Sequence, residues 1–204
     1  MIAGTEGNIS CRLPAGEILI TPAGVCKGMM SPADLVVLDR TGKPKSKSQR
    51  PSSEYRIHLL AYEKRPEINA VVHSHPSYAT GFALAGTAID ASGLPEFEVS
   101  FGTIPFVPYA APGTIELSDA LAKHISSGCV YLLENHGLVA LGTTVLEAFF
   151  RTEMAEHCAK ALYLAYQIDM AMDMDVGYDE EEITADEHSL SAITMPRDRR
   201  RREN

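Results

Sequence analysis

Residues Cys129–Glu134 (CVYLLE) are an apolar run of the kind a buried strand carries. A second apolar run, Leu138–Leu141, begins just beyond Asn135-His136-Gly137. So short a spacer, with a glycine that permits sharp backbone bends, predicts that the two runs pair as a hairpin. Further short elements precede it. Glu17–Thr21 and Asp34–Leu38 read as strands on either side of a Pro22-Ala23-Gly24 turn signal. Thr41–Pro51 is a polar loop with Lys43, Lys45, Lys47 and Arg50. Ser52 and Ser53 offer caps to a helix from Glu54 to Lys64, which Pro66 stops. Asn69–His75 reads as a strand and Ser77–Gly86 as a helix of small residues. A Gly/Pro-rich passage leads to a strand at Pro105–Tyr109. Glu116–Ser127 is an amphipathic helix with Gly128 as its cap, and Val145–Gln167, apolar at steps of three and four, is the longest helix. There is no regular βαβ alternation and no internal repeat. The pattern predicts an α/β protein, a three-layer α/β/α domain with a central, largely antiparallel mixed sheet.

At 204 residues and 45% hydrophobic, the chain fits one domain over residues 1–168. A domain of this size buries roughly 70% of the surface its unfolded chain exposes and needs no disulfides. Residues 169–204 change character, acidic at Asp179–Glu187 and basic at Arg197–Arg202, and read as a loosely ordered tail. The formal net charge of −9 argues against general nucleic-acid binding. An anionic substrate must then be held by local donors against the overall field. Cys11, Cys26, Cys129 and Cys158 form no C-x-x-C pair and read as reduced, mostly buried thiols. No apolar run reaches the ~20 residues of a membrane helix, and the start has no leader pattern, so the expected location is cytoplasmic.

In a strand, alternate side chains share a face, so His73 and His75 point the same way and Val72 and Ser74 the other. Two imidazoles roughly 7 Å apart at the backbone can converge on one ion. His136, in its tight turn, is the natural third member of a set that leaves a coordination position open to substrate. On spacing alone, metal ligands and ordinary polar residues at strand ends are both open readings. His58, inside the first helix, and His124, His157 and His188 read as structural or surface residues. Glu54, at a helix start, is accounted for by complementarity with the helix dipole.

Five segments, taken together and in order, change that balance. Gly7-Asn8-Ile9-Ser10, Thr21-Pro22-Ala23-Gly24, Pro51-Ser52-Ser53-Glu54, Val72-His73-Ser74-His75 and Glu134-Asn135-His136-Gly137 resemble the class II aldolase/adducin head family, most closely its fuculose-phosphate aldolase-like members. The resemblance runs from about Gly4 to Ala165. It implies a Zn2+ ion, with Mn2+ or Co2+ as alternatives, on His73, His75 and His136. It implies Glu54 as the catalytic acid/base, and a phosphate site from Asn8, Thr21, Gly24, Ser52 and Ser53. Backbone N–H groups at a glycine turn and a helix start suit an anion. The activity implied is reversible cleavage of a small phosphorylated ketose into dihydroxyacetone phosphate and an aldehyde, through a metal-stabilised enediolate, by a homotetramer with sites near subunit boundaries.

Three features depart from the pattern, one of them a C-terminal tyrosine of the family for which Tyr178 is the one candidate here. Only six residues precede Gly7, where family members carry an N-terminal helix, and Val99 stands near a tyrosine of the aldolase. A decarboxylase of phosphorylated 3-oxo sugar acids on the same scaffold is the alternative. A sugar-phosphate 4-epimerase, which usually has Asp at the Glu54 position, a non-catalytic adducin-like module and a zinc hydrolase rank below it.

Overall fold

The computed structural model of the chain describes residues 4–46, 50–92, 94–101 and 104–174. Its strands are β1 (Asn8–Arg12), β2 (Ile18–Ile20), β3 (Val36–Leu38), β4 (Ala70–Ser74), β5 (Phe106–Val107), β6 (Val130–Leu133) and β7 (Gly137–Gly142). Its α-helices are α1 (Tyr55–Lys64), α2 (Ser77–Leu84), α3 (Pro95–Phe101), α4 (Ile115–Ala122) and α5 (Val145–Met174). The strands form one sheet in the order β3-β2-β1-β4-β7-β6-β5. Every pairing is antiparallel except β5 with β6.

Side-chain alternation divides the core into two layers, one on each face of the sheet. Tyr131 and Leu133 of β6 and Val139 and Leu141 of β7 pack with Ile57 and Ala61 of α1 and Leu117 and Leu121 of α4. Their neighbours Val130, Leu132, Leu138 and Ala140 pack with Phe82 of α2, Phe97 of α3 and Ala155 and Ala159 of α5. This is the three-layer α/β/α arrangement read from the sequence. The expected β6–β7 hairpin is present, with Leu133 opposite Gly137.

Some elements differ from the sequence reading. β1 went unread, because Asn8, Ser10 and Arg12 hide the pattern of a strand that lies between β2 and β4. α3 lies in what reads as a Gly/Pro-rich passage, with Phe97 and Phe101 buried. α4 stops at Ala122, short of Ser127. α5 begins where Thr144 Oγ1 accepts the Glu147 N–H at 3.1 Å and the Glu147 carboxylate accepts the Thr143 N–H at 2.6 Å. It runs on to Met174, beyond Gln167 and the change of composition at Asp169. Lys47 and residues 175–204, with both charge runs of the tail, lie outside the described residues. All four cysteines are free, but only Cys158 is buried; the other three are half-buried. No helix among the described residues is long and apolar enough to cross a membrane.

Candidate active site

Strand register brings the site together. His73 of β4 lies opposite Asn8 of β1 on one side and Val139 of β7 on the other. His73 and Asn8 share the face covered by α1, the face on which Val71 joins Ile57 of α1 in the core. His75 continues that face one residue past the strand. The β6–β7 turn then carries His136 to the same rim, with Asn135 at a positive φ of 55°. Gly137 is required there by close approach: a Cβ would sit 2.5 Å from the His75 ring and 2.7 Å from the Ser74 carbonyl oxygen. Gly7 is similarly confined, at φ 69° with its Cβ position 2.6 Å from the His73 carbonyl oxygen.

The three imidazole rings cluster with centroids 4.6 to 5.1 Å apart. One ligand nitrogen from each lies within 4.8 Å of the others. Their hydrogen bonds define the free ends. His73 Nδ1 meets the Leu138 carbonyl oxygen at 2.9 Å, and His75 Nδ1 meets Glu6 Oε2 at 3.1 Å. Both partners are acceptors, so both Nδ1 atoms carry hydrogen and the Nε2 lone pairs of the neutral rings face the site. Those two Nε2 atoms are 3.2 Å apart. The ligand–ligand edge of a tetrahedron with ~2.05 Å metal–nitrogen bonds is about 3.3 Å. Burial, then the neighbouring His73, lowers the pKa of His75, and the same two causes lower His136 to about 4. Both rings are thus neutral, as ligands must be, near pH 7.

Glu54, at the start of α1, completes the group. Its carboxylate is buried, with Oε2 3.2 Å from His73 Nε2 and Oε1 3.3 Å from His136 Nε2. Asn8 Nδ2 donates to Oε2 at 2.9 Å. Burial opposes ionisation, but the adjoining His73 and His136 and the Asn8 bond outweigh it and hold the carboxyl at about 2. Glu54 Oε1 and His136 Nδ1 are buried without hydrogen-bond partners. A carboxylate and bare imidazole nitrogens facing one another are all acceptors, and a divalent cation satisfies such a set. The residues therefore fit the group the sequence implied.

A cavity of about 300 Å³ opens beside this cluster, and Asn8, Gly24, Ser52, Ser53, Glu54 and His136 line it. Thr21 sits behind it, buried, with its Oγ1 accepting the Ile9 N–H at 3.1 Å. Ser52 is also buried, and its Oγ accepts the Glu54 N–H at 3.3 Å, whereas Ser53 is exposed. Three features escaped the sequence reading. Lys27 lines the cavity, and burial lowers its pKa against the opposing influence of Cys26 and Glu54. Glu6 reaches His75. His58, expected as a structural or surface residue, is fully buried and hydrogen bonded to Asn8. A wider concavity of about 1020 Å³ lies at the other end of β1. Its Arg12 is committed to the carbonyls of Tyr62, Pro66 and Ile68, and no imidazole lines it.

A three-layer domain with three imidazoles and a buried carboxylate at one rim of its sheet defines a class of metal-dependent enzyme. The chain belongs to the class II aldolase and adducin N-terminal domain family, whose sequence model matches residues 1–163. It is a lyase of the aldolase type, a fuculose-phosphate-like member of a metal-dependent class. It is 34% identical to the L-fuculose phosphate aldolase of Methanococcus vannielii over 168 residues, 82% of this chain and 90% of that one. It is 33% identical to the 3-oxo-tetronate 4-phosphate decarboxylase of Haemophilus influenzae over 164 residues, 78% of each. A solved structure of an L-fuculose 1-phosphate aldolase superposes with a TM-score of 0.75 at 34% identity, covering 81% of this chain and 78% of that one.

Proposed function

We propose that this protein reversibly cleaves a small ketose 1-phosphate of the fuculose type into dihydroxyacetone phosphate and an aldehyde. His73, His75 and His136 hold the divalent metal, zinc by preference, and Glu54 is the acid/base. The observation that carries the reading is the buried Glu54 carboxylate, with one oxygen unengaged, within 3.3 Å of two of three converging imidazoles. When bound, the cation supplies Lewis-acid stabilisation of negative charge developing on the substrate oxygens.

In the condensation direction, Glu54 Oε1 accepts a proton from the hydroxymethylene carbon of dihydroxyacetone phosphate. The electron pair left on that carbon attacks the aldehyde carbon, the aldehyde oxygen takes up a proton from solvent water to become a hydroxyl, and Glu54 gives its proton back to solvent. Cleavage runs the same steps in reverse, with the Glu54 acid returning its proton to the carbon. Asn8, Gly24, Ser52, Ser53 and Thr21 form the phosphate site. The cavity lined by the first four supports this, and Lys27 adds a cationic donor there.

The chain acts as a cytoplasmic homotetramer in this reading. Four free thiols suit a reducing compartment. Apolar side chains left exposed along α5, among them Leu146, Phe150, Ile168 and Met170, support burial against other copies.

The zinc-loaded protein with dihydroxyacetone phosphate in heavy water should exchange one hydroxymethylene proton stereospecifically, followed by NMR, and chelation should abolish the exchange. A folded, zinc-replete sample that exchanges nothing overturns the aldolase. The identity with the tetronate decarboxylase then makes loss of carbon dioxide from a phosphorylated 3-oxo acid the second reading.

A further inference from the structure

Behind Glu54, away from the three converging imidazoles, a line of buried polar groups runs from Asn8 through His58 and Ser10 to Tyr62, and the reaction above uses only Asn8 of these. Glu54 Oε2 meets Asn8 Nδ2 at 2.9 Å, and Asn8 Oδ1 meets His58 Nε2 at 2.5 Å. His58 Nδ1 meets Ser10 Oγ at 2.7 Å, and Ser10 Oγ meets the Tyr62 hydroxyl at 2.7 Å. His58 is fully buried, Ser10 is 2% exposed and Asn8 3% exposed, so no solvent competes for these bonds. They come from β1 and α1, two elements separated in sequence by the whole of β2 and β3.

Chemistry orients every bond in the line. An ionised carboxylate only accepts, so Asn8 must turn its NH2 toward Glu54. The opposite amide orientation would set two acceptor oxygens against each other in a buried site. The Asn8 carbonyl oxygen therefore faces His58 and needs a donor, which makes Nε2 the protonated nitrogen. Nδ1 is then bare and accepts from the Ser10 hydroxyl, whose oxygen accepts from Tyr62. Burial keeps both ends of this assignment in place: it lowers the His58 pKa to about 3, so the ring stays neutral, and it raises that of Tyr62, so the phenol stays a donor.

We infer that His58, held as its Nε2–H tautomer by Ser10 and Tyr62, is a positioning residue that locks the Asn8 amide against Glu54 Oε2. That lock reserves Oε1, the carboxylate oxygen without a hydrogen-bond partner, for the transferred proton. The inference rests on the acid/base reading of Glu54 but makes a separate claim about which oxygen works and what selects it. A histidine that merely filled the core would serve equally well as either tautomer and could be replaced by any side chain that packs.

Two measurements test it. Long-range 1H–15N NMR of the full-length, histidine-labelled protein, metal-free and zinc-loaded, should show His58 protonated at Nε2 and bare at Nδ1. An Nδ1–H tautomer overturns the inference, and this result needs no substrate. In the deuterium-exchange reaction at saturating dihydroxyacetone phosphate, His58→Leu should lower the rate about 10²-fold per folded molecule, with zinc affinity unchanged. His58→Gln, whose amide N–H can replace the Nε2 donor, should recover most of that loss. Equal rates for His58→Leu and the native protein, or equal damage in both variants, overturn the inference. A native protein that exchanges nothing overturns the aldolase reading instead, and the tautomer still decides the arrangement.

Discussion

The two layers that sandwich the sheet are built from the same strands yet differ in kind. On the α2/α3/α5 side, β6 and β7 present Val130, Leu132, Leu138 and Ala140 to Phe82, Phe97, Ala155 and Ala159, an almost wholly apolar packing. On the α1/α4 side, an apolar cluster gives way toward β1 and β4 to Asn8, Ser10, Glu54, His58 and His73, all buried. The first layer obtains its cohesion from area removed from water, which is indifferent to direction. The second has buried polar groups that are stable only when each finds its particular partner. The contrast separates rigidity from chemistry, and substitutions on the two sides should fail in different ways.

The sharpest test of that separation is Glu54→Gln. It should lower proton exchange about 10²- to 10⁴-fold while leaving the thermal midpoint close to that of the native protein, measured by NMR and calorimetry on the same sample. Leu132→Ala on the apolar side should do the reverse. It should cost about 2–5 kcal/mol in urea unfolding and leave the exchange rate per folded molecule nearly unchanged. If both variants lost activity and stability alike, the two layers would not be separable.

A smaller effect sharpens the comparison through pH. His58 has a folded pKa of about 3, depressed by burial among Asn8, Ser10 and Tyr62, below the ~6.5 of an exposed histidine. Between those values the unfolded chain binds a proton that the folded chain refuses. Stability from this group is therefore present above the unfolded pKa and lost as pH falls toward 3, by up to about 1.4 kcal/mol per pH unit. Thermal midpoints of His58→Gln should fall less steeply with acid than those of the native protein, and parallel curves would break the prediction. The least effect belongs to the surface. Lys45→Ala, which removes an exposed ion pair with Glu17, should change urea stability by less than about 1 kcal/mol.

What could be read in the sequence followed from periodicity. The alternation that puts His73 of β4 and His75, one residue past it, on one face is a local property of that segment, and the apolar runs of β6 and β7 declare burial on both sides. The spacing of α5 marked Val145, Ala148, Phe149, Thr152, Ala155, Ala159, Leu162 and Ala165 as one stripe, of which Ala148, Thr152, Ala155 and Ala159 are buried and Val145, Phe149 and Ala165 are exposed. What could not be read depends on tertiary partners. β1 lacks an apolar alternation because its inward face is Asn8 and Ser10, whose burial makes sense only beside His58 and Tyr62. His58 itself follows Ile57 on a helix with Ala61 and Tyr62 also buried, a stripe widened by the polar line from β1. Position alone reads Glu54 as a dipole-matching residue; the motif resemblance marked it as the acid/base, and the structure sets it beside His73 and His136.

The pairing of β1 with β4 and of β4 with β7 also governs when this site comes into being. Asn8, Glu54, His73 and His136 arrive from segments spread over most of the domain, and none of their contacts is made within a single local element. Closing such distant loops is entropically costly and comes late in folding. A chain emerging from the ribosome exposes His73 and His75 well before His136, so for an interval it offers a cation only two imidazoles. Metal captured then would be loosely held and readily exchanged. The full set of three appears only once β7 has docked against β4, so under the proposed metal site ion acquisition would report that the central sheet is complete.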